Sequence, residues 1–187
     1  EQIYNKYCPL IPEFGKVWCV SFGAVNLKGD IEINTIQNDD EKQLIVDFLK
    51  VLDHYDSYNL CGYNISDFDI PYLLKRIWVN KINTYPIQLQ LKDAKPWTTK
   101  HVDVMLDWMN ISREKVSLGL LCEILGIKTP KDKFNNDEFT TLLLEGKITT
   151  EEGVEYCEKD VKALYEVCVA LSSENNFGVE TTSKWKK

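Results

Sequence analysis

Two runs of strand-like spacing open the chain. Val17–Val25 is rich in β-branched and aromatic residues, and Ile31-Glu-Ile-Asn-Thr-Ile-Gln37 alternates as a half-buried strand does, with the turn Asn26-Leu-Lys-Gly-Asp30 between them. The apolar positions then recur at steps of three and four. Leu44, Ile45, Phe48, Leu49 and Leu52 make one stripe of a helix, and Asn38, Asp39 and Asp40 ahead of it supply an N-cap and an acidic first turn. Asn59–Asn64 predicts a short strand. A helix restarting at Pro71, a residue suited to the first helical position, runs through Leu73, Leu74 and Ile77. Residues 80–100 read as irregular, His101–Met105 as a strand, and Ser117 as the cap of a helix that Gly126 stops. A loop over 127–136 carries Lys128, Lys131 and Lys133, and a short helix follows over Asp137–Leu144. The last element is the most sharply drawn. Thr149-x-x-Glu152 is a capping box, and Val154, Cys157, Val161, Leu164, Cys168 and Leu171 repeat at helical steps.

This order of hairpin, helix, strand, helix, strand and helices predicts an α/β domain with a mixed sheet. The sequence shows neither an internal repeat nor a dividing linker, so one domain is expected over residues 1–173, with a polar tail over 174–187. The 187 residues are 44% hydrophobic and 27% charged, enough for one core, which excludes wholesale disorder. No apolar run approaches the roughly 18 residues of a membrane span. The six cysteines form no Cys-x-x-Cys pair and sit mostly in apolar runs. They read as small buried hydrophobes in a reducing, cytoplasmic compartment. A formal charge of −7 argues against a protein that coats nucleic acid through its phosphates. It leaves open an enzyme that grips a short end while metal ions neutralise its carboxylates.

Asp and Glu number 29 against two His, which directs attention to carboxylate chemistry. Neither His54 nor His101 has a Ser or Cys placed beside it as a nucleophile. Two clusters remain. In Gly62-Tyr-Asn-Ile-Ser-Asp-Phe-Asp-Ile-Pro71, Asp69 falls just before the helix at Pro71, where amide donors and the positive helix end hold a carboxylate ionised. Asp69 there is either a metal-associated acid or a plain helix cap, and Asp67 lies outside the junction. The second cluster is Tyr156-Cys-Glu-Lys-Asp160. Residues four apart share a helix face, and this pair borders the apolar stripe. Because Tyr63 and Asp67 repeat the spacing, context has to decide its meaning.

Asn-x-x-x-Phe-Asp-x-Pro-x-Leu at a strand–helix junction, followed by Tyr-x-x-x-Asp on a capped C-terminal helix, resembles the Tyr-type DEDD 3′–5′ exonucleases. The likeness is to stand-alone exonucleases related to the proofreading domain of family B DNA polymerases. Pro-Glu-Phe-Gly-Lys16, Lys-Pro-Trp97 before His-Val-Asp103, Ser-Leu-Gly-Leu-Leu121, Leu-Gly-Ile127 and Glu-Tyr-Cys-Glu-Lys-Asp-Val161 extend it from residue 4 to about 172. The resemblance implies an RNase H-like fold with a five-stranded mixed sheet flanked by helices, and two Mg²⁺ or Mn²⁺ ions. It implies a single-stranded DNA 3′ end as substrate, with RNA as the other candidate, and replication or repair proteins as partners. Asp160 would bind metal directly, Asp69 largely through metal-bound water, and Tyr156 would place the attacking water. Asn64 and Phe68 would contact substrate, and Asp103 would support the cluster or serve only as a strand-end hydrogen-bond acceptor.

One departure stands out. The family's first motif, Asp-x-Glu on the central strand, does not precede Val17–Val25. The Asp30-Ile-Glu32 of this chain sits in the hairpin turn and the edge strand after it, and does not take its place. Two strands deprived of a shared neighbour would carry unpaired ladders. The reading is therefore of a sequence that starts after that strand, with Glu1–Lys16 as the loop leaving it. The alternatives are a relative without catalysis, acting as a nucleic-acid or replication-partner binding module, and a chain completed by a partner's strand.

Overall fold

The computed structural model describes residues 8–56, 58–83, 89, 101–112, 114–128, 139, 141–143 and 145–172 of the 187. Strands β1 (Cys19–Val25) and β2 (Ile31–Gln37) form an antiparallel hairpin in the register Cys19 to Gln37 through Val25 to Ile31. Strands β3 (Leu60–Gly62) and β4 (His101–Asp103) form a second, parallel pair, with Leu60 opposite His101 and Gly62 opposite Asp103. The helices are α1 (Glu41–His54), α2 (Asp69–Val79), α3 (Val104–Ser112), α4 (Leu118–Leu125) and α5 (Thr150–Ser172).

Alternation along β1 and β2 decides which layer each face meets. Val20, Phe22 and Ile36 pack on a core built by Leu44, Ile45, Phe48, Leu49 and Leu52 of α1 and Ile70, Leu73 and Ile77 of α2. The opposite face carries Cys19, Ser21, Gly23 and Thr35. There Cys19 meets Cys157, Thr35 donates to Glu158 at 2.8 Å, and a side chain on Gly23 would press on Val161 of α5. β3 divides in the same way. Leu60 joins the α1/α2 core, whereas Cys61 joins a second core of Val104, Leu121, Cys122, Ala163, Val167, Cys168 and Leu171. The two small sheets therefore lie between the same helical layers. The mixed α/β expectation holds, but the described residues form two two-stranded sheets, not one five-stranded sheet.

Local chemistry accounts for most element ends. The Asp40 carboxylate accepts from the Lys42 and Gln43 N–H groups and starts α1. Ser117 caps α4, and Gly126 closes it in the left-handed region at φ 69°. The capping box at α5 is complete: the Thr149 N–H donates to Glu152 at 2.9 Å, and the Glu152 N–H donates to the Thr149 hydroxyl at 3.2 Å. Two boundaries differ from expectation. α2 begins at Asp69, two residues before Pro71, because a proline anywhere in the first turn removes only an amide that has no helical partner. The strand at His101 ends at Asp103, since the Asp103 carboxylate accepts from the Met105 and Leu106 N–H groups and starts α3.

The segment ahead of β1 is fastened to α2. The Tyr72 hydroxyl donates to the Pro9 carbonyl at 2.7 Å, Lys75 pairs with Glu13 at 2.6 Å, and Arg76 donates to the Pro12 carbonyl at 2.8 Å. Residues 139 and 141–143 are helical, inside the span predicted as Asp137–Leu144. Most of the 80–100 segment, the loop to residue 136 with Lys131 and Lys133, and the 174–187 tail lie outside the described residues. No helix among the described residues is long and apolar enough to cross a membrane.

Candidate active site

The site expected from sequence divides between the β3–α2 junction and one face of α5. At the junction the chain turns sharply after Gly62. A Cβ on Gly62 would lie 2.5 Å from that of Ile65, so only glycine lets the turn close this tightly. Asn64 takes φ 61°, which asparagine tolerates better than most residues, and its carbonyl accepts from the Phe68 N–H at 3.0 Å.

Asp103 of β4 holds this turn. Its Oδ1 accepts from the Asn64 N–H at 2.9 Å and its Oδ2 from the Ser66 N–H at 3.0 Å. With Met105 and Leu106, four backbone donors converge on one buried carboxylate. Asp103 makes the strand-end hydrogen bonds expected of it, and its charge also acts on Asp69. Its bonds to Asn64 and Ser66 hold the turn that leads from β3 to Asp69.

Asp69 occupies the first residue of α2. Its carboxyl is raised to about 6, first by the surrounding protein, which draws water away from it, and further by the Asp103 charge; a backbone hydrogen bond opposes both. The Asp69 side chain is nevertheless exposed, so water screens much of the effect. Burial and the backbone hydrogen bond at the helix end thus act in opposite directions on this carboxyl, which is still mostly ionised at neutral pH. Beside it, Phe68 is 40% exposed with its ring centroid 5.7 Å from that of Tyr72. The Oδ1 of Asn64 is buried without a hydrogen-bond partner among the described residues. Asp67 sits at the surface, 3.7 Å from Lys115.

On α5, Tyr156 is buried with its ring stacked on Phe139 at 4.5 Å between centroids. Burial raises its hydroxyl, and the charges of Asp160 and Cys157 add to the rise, so it keeps its proton at neutral pH. Asp160, one turn on, is half-buried. Its charge also reaches Cys122, while Cys122 and Asp103 both act on Tyr63. The Tyr63 hydroxyl itself donates to the Val116 carbonyl.

Asp30 and Glu32 are exposed in the hairpin, where Asp30 accepts from the Asn26 side chain at 3.2 Å. Among the described residues no three His, Cys, Asp or Glu side chains converge as a metal site. Sequence reading missed Phe139, which no spacing links to Tyr156. It also missed the paired cysteines described below, whose partners lie more than 100 positions apart.

The profile of the DNA polymerase family B exonuclease domain matches residues 20–116. That span includes Asn64, Phe68, Asp69 and Asp103 and stops short of Tyr156 and Asp160. No curated protein matches the chain. With more than half of its 187 residues covered by that profile, the chain belongs to the family of family B DNA polymerase exonuclease domains.

Proposed function

We propose that the domain formed by residues 1–173 is a 3′–5′ exonuclease acting on single-stranded DNA ends, with Asp69, Tyr156 and Asp160 as its catalytic residues. The observation that carries this reading is the family match over 20–116, in which Asp69 follows a turn built to hold it. Supporting it are a carboxyl at Asp69 whose proton is held to about 6, an exposed aromatic ring at Phe68 suited to stacking on a base, and a protonated Tyr156 able to donate to a phosphate oxygen or a water.

Exonuclease domains of this family typically use divalent metals. The described residues do not by themselves fit two such ions, because no three ligating side chains converge. Two cations held close together need several anionic oxygens to offset their repulsion. The proposal therefore requires carboxylates beyond the described ones, and the resemblance implies an acidic strand beside β1 and β3 as their source. The same observation favours a second reading, a binding module of this fold without catalysis.

The test is release of nucleotides from a 3′-labelled single strand in Mg²⁺, Mn²⁺ or chelator. The chain of residues 1–187 is compared with one extended upstream through an Asp-x-Glu strand. The extended protein should digest the strand and the shorter one should be nearly inactive. In the extended protein Asp160→Ala should abolish digestion, Asp69→Asn should nearly abolish it, and Tyr156→Phe should slow it by about 10²–10⁴-fold. Binding without digestion by the extended protein would favour the second reading, and vigorous chelator-sensitive digestion by the shorter one would remove the need for the added strand.

A further inference from the structure

Helix α5 meets each small sheet through a pair of thiols. Cys19 of β1 and Cys157 of α5 lie with their sulfurs 3.5 Å apart, and Cys61 of β3 and Cys168 of α5 at 3.7 Å. The pairs differ in access: Cys19 and Cys157 are both partly exposed, whereas Cys168 is buried in the second core. Cys122 is buried and belongs to neither pair. Sulfurs in van der Waals contact, on elements already packed together, need only small side-chain rotations to reach bonding distance.

We propose that Cys19 and Cys157 are a reversible redox pair, closed to a disulfide by a low-molecular-weight disulfide such as oxidised glutathione and reopened by thiols. The Cys19 thiolate attacks one sulfur of the oxidant, breaks its S–S bond and releases one small thiol. The Cys157 sulfur then attacks the mixed disulfide at Cys19 and releases the second. The two protein thiols are oxidised, the oxidant is reduced to two thiols, and the two protons pass to those leaving groups. The bond would tie α5 to β1 one residue from Tyr156 and three from Asp160. It would form whether or not the chain cleaves nucleic acid.

The test is peptide mapping by mass spectrometry, without reduction, of the whole chain after incubation with oxidised glutathione. The expected product is a Cys19–Cys157 cross-linked peptide, lighter by two hydrogens than the two free peptides and lost on treatment with dithiothreitol. Cys8, Cys61, Cys122 and Cys168 should remain open to alkylation once the chain is denatured. In Cys157→Ser the mixed disulfide cannot resolve, so Cys19 should retain glutathione. The cross-linked protein should melt at a higher temperature than the reduced one, because the link joins residues 138 positions apart and restricts the unfolded chain. Stable glutathione on Cys19 of the unsubstituted protein, a link between other cysteines, no reaction, or a lower melting temperature for the cross-linked form would each overturn the assignment.

Discussion

Two aspartates near β3 illustrate how position divides the work of one side-chain type. Asp103 is buried and satisfies four backbone donors, so Asp103→Ala strands amides at the β3–α2 turn and uncaps α3. Its expected cost is about 3 kcal/mol in chemical denaturation, with Asp103→Asn milder because one carbonyl oxygen survives. Equal, small effects would show that the turn holds without it. Asp69 is the opposite case. Its carboxyl titrates near 6 in the folded chain against 3.8 for an ordinary aspartate, so between those values the folded state binds more protons than the unfolded one. Stability is lost as pH rises through that window and stays lower above it. In chelator, Asp69→Asn should therefore melt higher than the parent at about pH 7.5 and alike at about pH 3. A lower melting temperature at neutral pH would contradict the desolvated carboxyl. The need for a carboxylate at each position was legible in the sequence, but their opposite energetics were not, because burial and backbone donors come from β3, β4 and α2 together.

At the scale of elements, start and stop signals served best where one turn of chain supplies both partners. The capping box of α5, Ser117 with Gly126 around α4, and Asp40 ahead of α1 all act within three or four residues, and all appear where expected. A side chain with a second, distant duty was harder to read: Asp103 ends β4 by capping α3 two and three residues on, and it also holds a turn 37 to 39 residues away. Gly153 shows a similar limit. A glycine inside α5 looks like a flaw that alanine would repair by about 1 kcal/mol. Yet a Cβ there would lie 2.7 Å from the Trp18 ring, and overpacking of that kind costs about 1–3 kcal/mol. Gly153→Ala should therefore lower the thermal midpoint despite its better helix propensity. A gain would mean that the Trp18 ring moves aside freely.

For the whole molecule, one buried ion pair joins the N-terminal segment to both helices of the first core. Glu41 and Arg76 meet at 2.6 Å, both over 90% buried, and the Glu41 carboxylate also accepts from the Val17 N–H at 2.6 Å and the Asn80 amide at 2.9 Å. Burial alone would raise the Glu41 carboxyl, but hydrogen bonds from Arg76, Asn80 and Val17 and the Arg76 charge hold it below the usual range. A lowered acid stabilises above its unfolded value, near 4.5, and that contribution is lost as pH falls through the folded value. Glu41→Gln should cost about 3–5 kcal/mol at neutral pH by leaving a buried arginine without its counter-charge. Denaturation followed across pH should show the difference from the parent shrinking in acid, and a constant difference would refute the linkage. The sequence determined the α/β class, most of the helices and strands, and the resemblance at Asn64, Phe68, Asp69, Tyr156 and Asp160, because periodicity, caps and short motifs act over a few residues. Only the tertiary structure decided that the described strands form two pairs, that Asp103 holds a turn, that Glu41 is a buried ion and that Cys19 faces Cys157. Each of those depends on atoms brought together from distant parts of the chain, where burial and hydrogen bonding, not local preference, set the energy.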